Sequence, residues 1–176
     1  MTAVGWEQGY TQAELDDAQE KFGLLFPADL VSLLRDRRPV DGHDWTDEVA
    51  IRRALKRPIE GLLHSIGSGF MWRPEWGEKP ADPDARKEVA RPPISCAPKL
   101  IPLLSHRYLP EEPREPGNPV LSVFHSDVIH SGKNLAGYFE REFSGRLDAP
   151  RPDETKHIPC WSDLVVRKGW ITARAI

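Results

Sequence analysis

The chain has 176 residues, 39% hydrophobic and 29% charged, with a net charge of -3. This length suits one domain with a sizeable core. The mild negative charge removes any bulk attraction to phosphate backbones or anionic membranes, and no apolar run approaches a membrane span. The 17 prolines, about twice the usual share, predict many turns and little uninterrupted helix.

The first 17 residues hold no basic segment followed by an apolar core, so a cytoplasmic location is the expectation. Thr11-Gln12-Ala13-Glu14 has the form of a capping box, followed by Leu15, Ala18 and Phe22 on one helical face and Gly23 as a stop. Phe26-Pro27 introduces a second helix that buries Leu30, Val31, Leu33 and Leu34. Arg35 to Arg38 follow at its C-terminus, where the helix dipole favours cations. Thr46 is the expected cap of a helix from Asp47 to Lys56, ended by Pro58. A further short helix is predicted over Ile59 to Ile66, broken by Gly67-Ser68-Gly69. Met71, Trp72 and Trp76, with Arg73 and Glu75 between them, then lead into a proline-rich stretch.

Residues 98–104 read as a strand, and residues 111–119 as an exposed loop dense in proline and charge. Val120 to Phe124 and Val128-Ile129 are β-prone, either one bent strand or two strands meeting near Ser126-Asp127. Asn134 can cap a helix carrying Leu135, Tyr138, Phe139 and Phe143 at helical spacing. Residues 144–160 read as a proline-rich linker and 161–176 as a docking tail, with Ser162 as a helix cap and Leu164, Val165 and Trp170 packing back. Helices from both ends on a central antiparallel or mixed sheet make an α+β domain.

Several ordered blocks resemble the SUKH superfamily, which holds the fungal Smi/Knr-type cell-wall regulators and many bacterial immunity proteins. The first is TQAELDDAQEKFGLLFPADLVSLL. The others are the order Gly61-Leu62, Phe70, Trp72, Trp76-Gly77 and Pro80, then LIPLLSHRYLP, then GNPVLSVFHSDVIHSGKNLAGYFEREF. Together they span residues 11–143. The resemblance implies a single SUKH-like α+β domain and a non-catalytic role. The leading expectation is an immunity protein that binds and blocks a cognate polymorphic toxin. The alternative is a housekeeping interaction or regulatory module. The scaffold positions are Phe22, Gly23, Phe26, Pro27, Trp76, Gly77, Gly117, Asn118, Pro119 and Asp127.

The candidate partner contacts are Trp72, Arg73, Glu75, His106, Arg107, Tyr108, Glu111 and Glu112. Tryptophan and arginine often anchor interfaces, although the tryptophans also suit a core. Arg107 is expected to be partly buried and paired with an acid such as Asp127. Acidic runs such as Glu111-Glu112 would steer a basic nuclease toxin, but are equally ordinary solvated surface.

No metal and no cofactor is expected. His106, His125 and His130 would need one face and further ligands, and residues 125 and 130 fall on opposite faces of a straight strand. Ser105, His106, Ser122, His125, Ser126 and Asp127 include the residue types of a hydrolase triad. No GxSxG elbow, P-loop or HExxH accompanies them. A small enzyme using His106, Asp127 and His130 is therefore the third reading. Cys96 and Cys160 lack any zinc-site spacing and read as free thiols.

Overall fold

Thr11 and Glu14 start the first helix by satisfying each other's backbone. Thr11 N–H donates to Glu14 Oε2 at 2.7 Å, and Glu14 N–H to Thr11 Oγ1 at 3.2 Å, the reciprocal cap that the spacing predicts. The computed structural model describes residues 5–144 and 154–165, with backbone alone at positions 143 and 144. Helix α1 (Gln12–Phe22) ends on Gly23, whose φ of 61° is the left-handed conformation that a residue without Cβ adopts most readily. Helix α2 (Ala28–Asp36) follows and buries Leu30 and Leu34. Arg37 and Arg38, expected at the end of this helix, instead open a strand. β1 (Trp6–Gln8) and β2 (Arg37–Pro39) form a two-stranded antiparallel sheet, with Arg38 paired to Glu7 at 2.9 Å. Neither strand is legible in the local pattern, because three residues are too few to show a period.

The two short helices predicted on either side of Pro58 are one. Helix α3 (Glu48–Gly67) runs for 20 residues, capped by Asp47 Oδ1 accepting from Ala50 N–H at 3.0 Å. Thr46 is not the cap; its own N–H and hydroxyl donate to Asp44. Proline inside a helix removes one backbone bond. Here the Pro58 ring is buried, and Leu62 and Ile66 beyond it are fully buried, so apolar burial on both sides of the proline offsets the missing bond. Helix α4 (Pro83–Ser95) was hidden by proline density. Its signal is Asp82 followed by Pro83: Asp82 Oδ2 accepts from Ala85 N–H at 2.7 Å and the proline occupies the first turn.

Four strands, β3 (Leu100–Leu104), β4 (Arg107–Pro110), β5 (Val120–Phe124) and β6 (Asp127–Gly132), form an antiparallel sheet in sequence order. Residues 107–110, to which the local pattern assigns no element, are therefore a strand. Ser105-His106 is the two-residue loop between Leu104 and Arg107. His125-Ser126 is the equivalent loop between Phe124 and Asp127, which resolves the bent-strand alternative in favour of two strands. Pro102 sits in β3, an edge strand, where its missing N–H breaks no interior ladder.

Both faces of this sheet are covered. Ile101, Leu103, Leu109 and Val120 join one core with α1, α2 and helix α5 (Leu135–Ser144). Leu100, Tyr108, Leu121, Val123 and Val128 join a second with α4, the C-terminal half of α3 and helix α6 (Trp161–Leu164). Asn134 caps α5 as its side chain predicts, accepting from Gly137 N–H at 2.8 Å. α5 presses so close on β6 that a Cβ on Gly132 would lie 2.5 Å from Tyr138 Cβ. In α6 the buried Trp161 donates its indole N–H to Pro98 O at 2.8 Å, and Val165 bridges Val128. Ser162 lies inside this helix and accepts from Ile158 N–H at 2.8 Å instead of capping it. Residues 145–153 of the expected linker, Trp170 in the expected tail and the Phe143 side chain lie outside the described residues.

Two residues expected at a partner contact belong to this interior. Tyr108 is fully buried, its hydroxyl donating to Ala54 O of α3 at 3.3 Å. Glu111 is buried too, accepting from Leu25 N–H at 2.5 Å and so tying the loop after β4 to the α1–α2 link. Removing the Glu111 carboxylate leaves that amide without its partner. Glu111→Ala should lower the unfolding free energy by about 1–3 kcal/mol. The exposed neighbour substitution Glu112→Ala should change it by less than about 0.5 kcal/mol. Urea midpoints for the two variants check the contrast, and equal midpoints would contradict the structural role of Glu111.

Candidate partner surface

The two tight hairpin loops place charged and aromatic side chains at one end of the sheet. In a two-residue loop that matches sheet twist, the first position often requires positive φ, which glycine adopts at least strain. Here Ser105 (φ 52°) and His125 (φ 57°) occupy those positions. A non-glycine residue held there costs about 1–2 kcal/mol, and strain of this kind tends to accumulate where a side chain has a task.

Antiparallel pairing brings the two loops side by side, and α3 and the loop before it close around them. His43 Nε2 lies 3.3 Å from Ser105 O, and His43 N–H donates to Leu103 O at 3.3 Å. Ser105 Oγ and His106 Nδ1 are 3.1 Å apart. His125 Nδ1 lies 3.4 Å from Gly61 O on α3, and its ring centroid is 5.3 Å from that of His64. Phe124 packs edge-on against His125 at 4.8 Å and against His106 at 6.4 Å, yet remains 62% exposed. Two histidines, His106 and His125, thus flank one exposed phenylalanine, and His43 and His64 contact the same two loops through Ser105 O and the His125 ring.

Burial and nearby arginines lower the pKa of two of these histidines. Burial pushes the His43 imidazole below its ordinary pKa, against the raising effect of its bond to Ser105 O, and Arg57 lowers it further. His106 is also held down, first by burial and then by Arg107 and Arg57, with Asp127 acting the other way. Arg107 itself donates from Nη1 to Ser122 Oγ at 3.1 Å, across the β4–β5 pair. The expected Arg107–Asp127 pair does not form. Asp127 is exposed at the start of β6, and Ser122 is the nearer partner because it sits directly opposite Arg107 in the ladder. His130, expected among surface or loop histidines, is buried, with Nε2 3.5 Å from Thr155 Oγ1, and burial lowers its pKa as well. His106, His125 and His130 are not gathered into a ligand set, and among the described residues no group of three or more metal-ligating side chains is placed to hold an ion.

A second cluster follows the C-terminus of α3. Phe70 N–H donates to Ser65 O at 3.0 Å, and its ring is 87% exposed. Trp72 and Trp76 meet edge to face, centroids 5.4 Å apart, and the Trp72 indole donates to Gly77 O at 2.9 Å. Each is half-buried against the second core, so the loop both braces the fold and presents aromatic surface. Arg73 pairs with Glu75. Met71, Arg73 and Trp76 also line a cavity of about 290 Å³ together with Cys96 and Cys160, both free thiols.

Phe22, Phe26, Pro27 and Pro119 are in the interior, and Asn118 donates to Pro110 O and Pro113 O at 3.0 and 2.6 Å. Gly117, at φ 97°, donates its N–H to Asp29 Oδ2 at 3.0 Å. Gly77, at φ 83°, closes the short helical turn Pro74–Trp76. The residues that sequence reasoning missed are His43, Arg57, Gly61, His64 and Phe124. The contacts of His43, Gly61 and His64 join positions about sixty residues apart, so no local spacing could have shown them. Comparison of the chain with protein-family models, curated proteins and solved structures gives no match.

His130, which is buried, and the partly buried His43 and His106 carry a pH consequence. Their folded pKa values are depressed, so the unfolded chain takes up protons first as pH falls. Their contribution is complete above about pH 6.5 and is lost as pH drops from there towards the folded values. The urea midpoint should therefore decrease from about pH 7.5 to about pH 5.5, and His130→Asn should flatten that slope. A wild-type midpoint constant across this window would contradict the burial argument.

Proposed function

We propose that the protein is a non-catalytic binding domain of the SUKH type, acting as an immunity protein that blocks a cognate toxin domain by covering it. The observation that carries the reading is the exposed Phe124 ring, flanked by His106 and His125 on two hairpin loops that hold non-glycine residues at positive φ. An apolar anchor flanked by polar side chains is an arrangement found at energetic hot spots. Phe70, Trp72 and Arg73, beyond the C-terminus of α3, are a second at least partly exposed group of residue types enriched at interfaces. The ordered resemblance of residues 11–143 to the SUKH group supports the immunity role. Of the contacts expected from sequence, Trp72, Arg73, Glu75, His106, Arg107 and Glu112 remain at least partly accessible, and Tyr108 and Glu111 leave the set.

Affinity purification of the tagged chain from its native cells should recover one stoichiometric protein with a toxin-type domain. Phe124→Asp should weaken that complex at least about tenfold. Phe124 is exposed, so the thermal midpoint should stay within about 2 °C of wild type. Val89→Asp, on the exposed side of α4, should leave binding unchanged. Recovery of a broad set of housekeeping proteins would favour the regulatory-module reading, and a complex insensitive to Phe124→Asp would move the contact elsewhere.

A further inference from the structure

The two cysteines lie about sixty residues apart in sequence, yet both line the cavity of about 290 Å³. Cys96 follows the last residue of α4, and Cys160 precedes the first residue of α6. Leu62, Met71, Trp76 and Ile94 give the cavity apolar walls. A hydrogen bond pins the same two segments together. The indole of Trp161, next to Cys160, donates to the carbonyl of Pro98, two residues beyond Cys96, at 2.8 Å. Both thiols thus stand where two element ends are fastened to each other.

The two sulfurs differ in their surroundings. Cys160 is half-buried and held at φ 68°, a positive value that glycine adopts at least strain. Its N–H donates to Asp163 Oδ2 at 3.2 Å, and its Sγ accepts from the Asp163 N–H, which fixes the sulfur against the start of α6. Burial raises the pKa of this thiol. Arg73 on the same wall acts against that, and Asp163 and the nearby Cys96 reinforce it. Cys96 is exposed, and its thiol reaches only Pro92 O, at 3.6 Å, a contact that a weak S–H donor gives up readily. One thiol meets solvent and its neighbour is sheltered behind it. That is the arrangement of an entry thiol and a resolving thiol.

We propose that Cys96 and Cys160 are a modification site for small-molecule disulfides of the glutathione type, which convert the pair into a disulfide bond joining α4 to α6. The Cys96 thiolate attacks one sulfur of the reagent, forming a mixed disulfide and releasing one thiolate. The Cys160 thiolate then attacks the Cys96 sulfur and expels the second. The two protein thiols together give up two protons and two electrons, and the reagent takes them up and leaves as two thiols. The product closes a loop that contains β3 to β6 and α5, and such a closure restricts the unfolded chain more than the folded one. By linkage, folding favours the bond by the same factor. The site does not rest on the immunity reading.

Equilibration of the reduced full chain with mixtures of reduced and oxidised glutathione, in native buffer and in concentrated urea, tests the proposal. Samples are quenched with acid, alkylated and weighed by mass spectrometry. The expected native product is a monomer lighter by two hydrogens, with Cys96 and Cys160 joined in one peptide pair. Its exchange equilibrium constant should be at least about tenfold larger in native buffer than in urea. The oxidised chain should melt at least about 4 °C above the reduced one. Cys160→Ser should accumulate the glutathione adduct on Cys96, which identifies the entry thiol. A constant no larger than in urea, or a wild-type chain that stops at the Cys96 adduct, would overturn the proposal. So would a covalent dimer as the main product, which would assign Cys96 to a contact between copies. These wild-type readings need no variant, so a misfolded Cys160→Ser chain cannot imitate them.

Discussion

Everything in this molecule depends on one sheet having to be buried on both faces. Leu100, Tyr108, Leu121, Val123 and Val128 point to one side, and Ile101, Leu103, Leu109 and Val120 to the other. A sheet buried twice cannot show the apolar-polar alternation of a half-exposed one, and its strands read as nearly continuous apolar runs. A slip of one residue would exchange the two side-chain sets and place each against the wrong helices. Tyr108 resists such a slip with a hydrogen bond to Ala54 O, which ties β4 to α3. The Trp161 indole does the same from the opposite end, joining α6 to the residues that enter β3.

The long helix α3 is the other consequence. Its first half packs into the core shared with α1 and α2 through Ile51, and its second half into the core shared with α4 and α6 through Leu62 and Ile66. Such a helix must span both cores, so breaking at Pro58 would leave one of them without a lid. A groove beside β3 marks where this division is imperfect: the Leu55-Ile59-Leu63 stripe lies between the two cores and is fully buried by neither.

The partner surface follows from the same geometry. Antiparallel strands in sequence order put both tight loops at one end, and the C-terminal half of α3 lies against that end. His106 and His125 on the two loops thereby flank Phe124, while His43 from the α2–α3 connection and His64 from α3 contact the loops themselves. Holding Ser105 and His125 at positive φ where glycine would be relaxed is a local expense, and it suits a surface shaped for contact more than one shaped for stability alone.

By itself the sequence determined the α+β class, the Thr11–Glu14 cap, the Gly23 stop, the Asn134 cap and the apolar runs that became β3, β5 and β6. Each of these is a matter of chemistry within a few residues. It also marked Trp72, Arg73 and His106 as surface candidates. Only tertiary structure decided that Pro58 lies inside a helix, that Tyr108 and Glu111 face inwards, and that Arg107 bonds Ser122 in place of Asp127. It alone brought His43 to Ser105, His64 to His125 and Phe124 to His106. The physical reason is common to all of these: burial and partner choice are set by what packs against a residue from distant parts of the chain, and local propensity yields whenever apolar burial outweighs it.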